Sequence, residues 1–224
     1  MNGPSFYTNR FIKKRPMMVA NAVKVLTNEI KKGDAILDIG AGPGVLAGIL
    51  EGIVQNCFIY GVESNPVFHK NGKELAKRLR RNRYFPVFGD VITNHFNGIN
   101  PIDVVCFSRS LHELSKDLDE RIKVIDKLKK YTKPNAKVII SDPFYITEIH
   151  EKPEENAGKI SLAREYLQRT LGHSHIPNEL PAPETMIGVL NGKLQDIKII
   201  VFEDELTEAT EIIKTYWLIG KYCD

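Results

Sequence analysis

Residues 35–44 read Ala-Ile-Leu-Asp-Ile-Gly-Ala-Gly-Pro-Gly, and this stretch decides the fold. Its first half is a short apolar run of the kind that forms a buried strand in a parallel sheet. Its second half has glycines at 40, 42 and 44, which suits a tight turn whose backbone a ligand can approach. Apolar residues at helical spacing follow. Strand, glycine turn and helix together predict a ligand site beside a helix N-terminus.

Two classes of cofactor site use this arrangement, and the spacing of the small residues separates them. A dinucleotide fingerprint needs a third small residue where the helix packs on the strand. Val45 occupies that position here and is too large for it. The segment instead reads Asp-x-Gly-x-Gly-x-Gly from Asp38 to Gly44, with Pro43 inside the turn. The spacing therefore argues against a dinucleotide.

Acidic residues follow two later strands of the predicted sheet. Glu63 ends the apolar run 57–62, where an acid can accept hydrogen bonds from a ribose. Asp90 follows a short predicted strand over 84–88. A fourth predicted strand, 103–108, precedes a helix over 117–130. Each acid alone could be a turn or cap residue, but their common register favours a nucleoside-binding site.

The four motifs, in this order, resemble those of class I S-adenosylmethionine-dependent methyltransferases over roughly residues 16–142. The resemblance implies S-adenosyl-L-methionine as the cofactor and a Rossmann-like fold. It places Asp38 near the cofactor's ammonium group, Glu63 at the ribose and Asp90 at the adenine amino group. The cofactor-binding residues that it implies are Asp38, Gly40, Ala41, Gly42, Gly44, Glu63, Ser64, Asp90, Val91 and Ser108.

Alternating strands and helices predict a doubly wound α/β fold with right-handed crossovers. The resemblance implies a mostly parallel seven-stranded sheet with helices on both faces and a C-terminal antiparallel hairpin. We expect a leader at 1–15 and a single domain at 16–224. Residues 143–183, after a fifth strand at 137–142, are too long for a bare connection. By resemblance they form a helical substrate-recognition cover.

Composition limits the class of protein. The 224 residues, 42% hydrophobic and 26% charged, suit one soluble α/β domain and argue against disorder. We find no run long enough to cross a bilayer and no signal-peptide core, so a cytoplasmic location is expected. The cysteines Cys57, Cys106 and Cys223 are odd in number, which indicates core residues in a reducing compartment.

Basic residues gather at 10–15 and 77–83 in a chain of net charge +3. Such clusters can bind nucleic acid, but cations at a helix C-terminus are also stabilising by themselves. We prefer the second interpretation. The expected partner is thus a small-molecule substrate, with nucleic acid and membrane both disfavoured and a homodimer left open. Residues 210–216 fit either a strand or the start of a helix.

Methyl transfer needs an acceptor aligned with the methyl carbon, and a base only if the acceptor is a hydroxyl or a protonated amine. His112 follows the fourth strand, at the edge where ligands bind, and either contacts substrate or shapes the pocket wall. His173 and His175 lie in the expected cover as His-Ser-His, and are further candidates for catalysis. Tyr145 and Tyr166 are expected to contact substrate.

Two narrower activities are disfavoured by the residues at the strand ends. Asp142 matches one ligand position of magnesium-dependent catechol methyltransferases, but Pro143 stands where those enzymes carry Asn. We therefore predict no metal. The Pro-Pro motif of enzymes that methylate base amines is missing after the fourth strand, where Ser108 to Leu111 read Ser-Arg-Ser-Leu.

The sequence predicts methyl transfer to a small molecule, with oxygen as the favoured acceptor. The aromatic cover suits an organic substrate such as a secondary metabolite or a quinone-like ring. One alternative is an RNA or protein methyltransferase that uses the two basic clusters. Another is a non-catalytic cofactor-binding protein on the same fold. A dehydrogenase comes last because of Val45.

Overall fold

The computed structural model describes residues 16–93, 99, 101–115, 117–145, 161, 180–202 and 213–223. The helices in this part are α1 (Pro16–Glu29), α2 (Val45–Ile53), α3 (Pro66–Ala76), α4 (Leu111–Leu114), α5 (Leu118–Lys129) and α6 (Pro183–Leu190). The strands are β1 (Ala35–Ile39), β2 (Phe58–Glu63), β3 (Arg83–Phe88), β4 (Ile102–Ser108), β5 (Thr132–Tyr145), β6 (Leu194–Phe202) and β7 (Ile213–Tyr222). The expected leader, and the cover at 146–160 and 162–179, lie outside the described residues.

The strands form one seven-stranded sheet in the order β3-β2-β1-β4-β5-β7-β6. Strand β1 pairs in parallel with β2 on one side and β4 on the other, so Asp38 lies between Gly61 and Cys106. The chain winds outward in opposite directions from β1 and β4. The carboxyl ends of these two strands therefore border the crevice where ligands bind in open α/β sheets.

The C-terminal strands confirm the expected antiparallel hairpin. Strand β7 runs antiparallel to both β5 and β6 and inserts between them. The ambiguous stretch at 210–216 is thus strand from Ile213 onward, while 210–212 lie outside the described residues. The predicted α/β class with a mostly parallel sheet is confirmed.

Two predicted boundaries were wrong. Strand β5 begins at Thr132 and not at the predicted residue 137, because Ile102 pairs with Thr132 and Val104 with Lys137, with an irregularity between these pairs. The sequence predicts a helix that ends within the basic cluster at 77–83, but helix α3 ends at Ala76. The Glu51 carboxylate accepts hydrogen bonds from the N–H groups of residues 80, 81 and 82, at 2.6, 2.8 and 3.1 Å. These backbone groups are therefore satisfied without a further helical turn.

The core lies on both faces of the sheet. Alternate residues of β1 point to opposite faces, so Leu37 and Ile39 join one buried cluster and Ile36 joins the other. Helix α5 covers the first face through residues such as Ile125, and α1 covers the second through residues such as Leu26. Such burial on both faces explains the continuous apolar runs in the sequence. None of the described helices is long and apolar enough to span a membrane.

Candidate functional site

The glycine turn follows β1 at the carboxyl edge of the sheet. Gly40, Gly42 and Gly44 have φ values of +67°, +54° and +88°, in the left-handed region that glycine adopts at little cost. A Cβ atom built on Gly42 would meet nothing within 4 Å. The backbone at Gly42 is thus open to a ligand from the side where a side chain would stand.

Glu63 joins this turn to the end of β2. Its carboxylate accepts hydrogen bonds from the N–H groups of Gly42 and Asn65, both at 2.7 Å. The side chain is 9% exposed, so it lies at the margin of the crevice. A carboxylate has lone pairs beyond these two bonds. Glu63 can therefore hold the turn and still accept a hydrogen bond from a ribose, as the sequence predicts.

Asp38 lies beneath the turn and is buried to 1% exposure. Neither carboxylate oxygen has a hydrogen-bond partner within the described part of the chain. Burial, reinforced by the nearby Glu63 carboxylate, raises the pKa of Asp38 to about 8. An unpaired buried carboxylate is costly, and a cationic ligand group is what would compensate it. The residues present therefore fit the ammonium end of S-adenosylmethionine.

Tyr84 packs beneath the glycine turn and was not among the site residues predicted from the sequence. Cβ atoms built on Gly44, Gly61 and Gly72 would lie 3.3, 2.4 and 3.3 Å from the Tyr84 hydroxyl oxygen. Three glycines on three different elements thus make room for one ring. Burial raises the pKa of the Tyr84 phenol, and the Asp38 and Glu63 carboxylates add to that effect. The aromatic ring fills the space below the cofactor turn.

Gly61→Ala is expected to lower the free energy of unfolding by about 1–3 kcal/mol, because the new methyl group overlaps the Tyr84 ring. A Cβ at this position would also lie 2.6 Å from Tyr84 Cε2, so loss of the hydroxyl alone would not relieve the overlap. Chemical denaturation of the purified variant measures the change.

Gly52→Ala is the matched control, since Gly52 is helical and a Cβ there meets nothing within 4 Å. It should raise the free energy of unfolding by up to about 1 kcal/mol. If Gly61→Ala were as stable as the natural protein, the close packing of Tyr84 against β2 would be wrong.

The remaining expected cofactor residues lie around the same edge. Asp90 is exposed, and its Oδ1 accepts a hydrogen bond from the N–H of Ile92 at 2.8 Å. The N–H of Gly89 donates to the carbonyl oxygen of Glu63 at 3.1 Å, which brings this loop to the end of β2. The others are Ala41 and Val91, which are buried, Ser64, which is exposed, and Ser108, which is partly buried at the end of β4.

The other side of the crevice carries a buried pair, His112 and Asp142, at the ends of β4 and β5. His112 Nδ1 lies 2.8 Å from Asp142 Oδ1, and the His112 N–H donates to Asp142 Oδ2 at 3.0 Å. The two residues are 2% and 4% exposed. His112 belongs to the one-turn helix α4 and not to an open loop, and its ring orientation is set by a carboxylate. Both residues were identified from the sequence, but their hydrogen bond was not predicted.

Other candidates are not brought to the site by the described residues. His173, His175 and Tyr166 lie outside the described residues, as do His95 and His150, and the side chain of Tyr145 is likewise not described. Within the described ranges, no three His, Cys, Asp or Glu side chains gather closely enough to hold a metal ion.

The basic cluster at 77–83 lies at the amino ends of the parallel strands, opposite the glycine turn. It leads into β3, whose first residue, Arg83, belongs to the cluster and pairs with Phe58 at the start of β2. The amino ends of parallel strands face away from the ligand crevice. Its five cations, Lys77, Arg78, Arg80, Arg81 and Arg83, are exposed. The cluster at 10–15 lies outside the described residues.

Comparison with known families gives one match. Residues 7–128 match the family described as protein-L-isoaspartate(D-aspartate) O-methyltransferase. The matched region contains the glycine turn, Glu63, Asp90 and His112, and it ends within α5. No curated protein matches this chain.

Three solved structures of similar fold are described as methyltransferases. The N-methyltransferase NodS from Bradyrhizobium japonicum, in complex with S-adenosyl-L-homocysteine, has a TM-score of 0.63 and 12% identity, with 100% of each chain covered. A methyltransferase from Thiobacillus denitrificans, also with S-adenosyl-L-homocysteine, has a TM-score of 0.61 and 14% identity, with 91% of each chain covered. One from Aquifex aeolicus has a TM-score of 0.59 and 17% identity, covering 95% of this chain and 97% of its own.

Proposed function

This chain belongs to the protein-L-isoaspartate(D-aspartate) O-methyltransferase family and is an S-adenosylmethionine-dependent methyltransferase, and we propose that its acceptor is a hydroxyl oxygen of a small molecule. The observation that carries this proposal is the His112–Asp142 pair. A hydroxyl acceptor must lose its proton and benefits from a positioned base, whereas a carboxylate acceptor is already an anion. A buried histidine held by a carboxylate suits the first case.

Cofactor binding is proposed to use the residues around the glycine turn. The open backbone at Gly42 admits the ligand, Asp38 meets its ammonium group and Glu63 meets its ribose. The bound cofactor supplies a methyl group already activated by the sulfonium. The protein's own task is to align the acceptor and to manage one proton.

Proton transfer is assigned to His112. With Nδ1 facing Asp142, Nε2 is the ring nitrogen that takes the proton from the acceptor hydroxyl. Bound S-adenosylmethionine would supply the methyl group to the acceptor oxygen, and its sulfur would keep the electron pair of the broken carbon–sulfur bond. Asp142 holds the ring in place and stabilises the imidazolium that results.

A small acceptor is supported by the burial of this side of the crevice. Ser110, Leu111, His112 and Asp142 are each less than 5% exposed, which suits an acceptor small enough to be enclosed. The basic cluster at 77–83 lies at the amino ends of the strands, away from the crevice, so its position gives no support to a macromolecular acceptor. These features favour a small organic hydroxyl, such as that of a phenolic or quinone-like ring.

The family description favours a second candidate, transfer to the carboxylate oxygen of an isoaspartyl residue in a protein. The matched region, 7–128, stops before β5 and before the expected cover at 143–183. It therefore contains the cofactor-binding half of the chain but not the expected acceptor-recognition segment. This is why we place the small hydroxyl first.

The test is transfer of a tritiated methyl group from S-adenosylmethionine to two sets of acceptors. One set contains small phenols and hydroxylated quinones; the other contains an isoaspartyl peptide and its aspartyl counterpart. A product that survives mild alkali is not a methyl ester, and it supports the proposal when NMR places the new methyl group on oxygen and not on a ring carbon. An alkali-labile product on the isoaspartyl peptide alone would establish the second candidate. Cofactor binding without transfer to either set would contradict both and favour the non-catalytic alternative.

A further inference from the structure

The segment 109–112, between β4 and α4, touches two neighbouring strand ends at once. Arg109 has a φ of +59°, and its N–H donates to the carbonyl oxygen of Ser141 in β5 at 2.6 Å. A positive φ in a residue other than glycine carries a conformational cost. This conformation occurs where the chain bends away from β4, and the bend at Arg109 directs the next residues toward β1.

Ser110 packs against the glycine turn. It is 4% exposed, and its hydroxyl donates a hydrogen bond to the carbonyl oxygen of Ile39, the last residue of β1. A Cβ built on Gly40 would lie only 2.5 Å from Ser110 Cβ. Ser110 precedes α4, yet its hydroxyl makes no cap bond to that helix. The side chain is used instead to contact the backbone at 39–40.

His112 stands two residues further along the same segment. Its backbone and its ring are both bonded to Asp142 in β5. A stretch of three residues thus links the first glycine of the cofactor turn to the proposed base. Because packed interiors transmit displacement, we expect a shift of the backbone at 39–40 to displace Ser110 and, through it, His112.

We infer that Ser110 is a positioning residue that fixes His112 relative to the glycine turn, so that binding of a ligand at the turn changes the position of the His112 ring. That His112 acts on the acceptor rests on the proposed function; the link between turn and ring does not. Through this link, binding of the cofactor would bring His112 into its working position.

The serine hydroxyl is the part of the link that can be removed alone. Ser110→Ala leaves the Cβ contact with Gly40 and deletes the bond to Ile39, whose buried carbonyl oxygen then loses a donor. Ser115→Ala is the matched control. The Ser115 hydroxyl bonds to Glu120 on the exposed start of α5 and does not touch the turn.

The experiment follows the His112 ring by NMR in protein labelled with ¹³C and ¹⁵N at histidine. The signal is identified by its loss in His112→Gln, and S-adenosylhomocysteine is the probe ligand. In the natural protein and in Ser115→Ala, saturation with this ligand should shift the His112 ring signals. In Ser110→Ala the ligand should bind within about threefold of its normal affinity, and the shift should fall to about a third or less.

Two results would overturn the inference. One is an unshifted His112 signal in the natural protein at saturation, and the other is a full shift in Ser110→Ala. If Ser110→Ala does not fold, Ser110→Cys keeps the side-chain size but replaces the hydroxyl by a much weaker donor, so the shift should again fall, and a shift as large as in the natural protein would overturn the hydrogen-bonded link. Since no acceptor is used, failure of this test is distinct from failure to methylate hydroxyls. In the active enzyme, Ser110→Ala should lower kcat about tenfold with little change in the KM for S-adenosylmethionine.

Discussion

Asp38→Asn is expected to weaken binding of S-adenosylhomocysteine by about 100-fold or more while stabilising the free protein. The buried carboxylate has no hydrogen-bond partner in the described residues, so it destabilises the free fold and is available to the ligand's ammonium group. The amide has nearly the same shape but no charge. Calorimetric titration measures the loss of affinity, and thermal unfolding at pH 8 should show a Tm higher by roughly 5 °C.

The pH dependence of both effects follows from the pKa of Asp38, which burial raises from 3.8 to about 8. In the free protein the carboxyl holds its proton up to about pH 8, whereas the unfolded chain releases it near pH 4. Between pH 4 and 8 only the unfolded chain can ionise this group, so the stability of the fold falls progressively over that window, and the advantage of Asp38→Asn should grow with it. Cofactor binding favours the ionised form, so affinity should rise about tenfold per pH unit up to pH 8.

The control for this prediction is a ligand that lacks the ammonium group. 5′-Methylthioadenosine keeps the adenine, ribose and thioether, and Asp38→Asn should leave its affinity within about twofold. An equal loss for both ligands would mean that Asp38 supports the turn and does not meet the ammonium. A lower Tm for the variant at pH 8 would contradict the cost of the unpaired carboxylate.

His112→Gln is expected to lower kcat for a hydroxyl acceptor by about 10²–10⁴-fold, the range of general base catalysis. The affinity for S-adenosylhomocysteine should stay within about threefold, because the His112 N–H and Nδ1 are both held by Asp142 in β5. Asp142→Asn should lower kcat by about tenfold or more, since the amide no longer stabilises the imidazolium. Steady-state methyl-transfer kinetics, with KM and kcat separated, measure both.

Asp103→Asn controls for the loss of a carboxylate in the same layer of the sheet. Asp103 accepts from the N–H of Ala35 at 2.9 Å and pairs with Lys133 at 2.7 Å, at the amino edge of the sheet. This variant should lose stability and keep kcat. If His112→Gln transferred methyl groups as fast as the natural enzyme, His112 would shape the pocket wall, and the choice of a hydroxyl acceptor would lose its main support.

The sequence alone determined the sheet class and placed the glycines and acids at the carboxyl ends of the strands. Apolar runs, the glycines at 40, 42 and 44, and the acids after two strands are local patterns, and each can be read within about ten residues. Strand β1 and the acids Asp38 and Glu63 lie where these patterns predicted. The antiparallel hairpin came from the resemblance, and its final strand was ambiguous because a short apolar stretch fits helix and strand alike.

Contacts between distant residues were decided only by the tertiary structure. Ser110 bonds to a residue 71 positions away and His112 to one 30 positions away. The Tyr84 ring meets glycines from three elements. The basic cluster, ambiguous in sequence, is separated from the crevice by the length of the strands. Local periodicity reports which face of an element is buried, but strand order and register decide which buried residues meet, and these depend on the whole sheet.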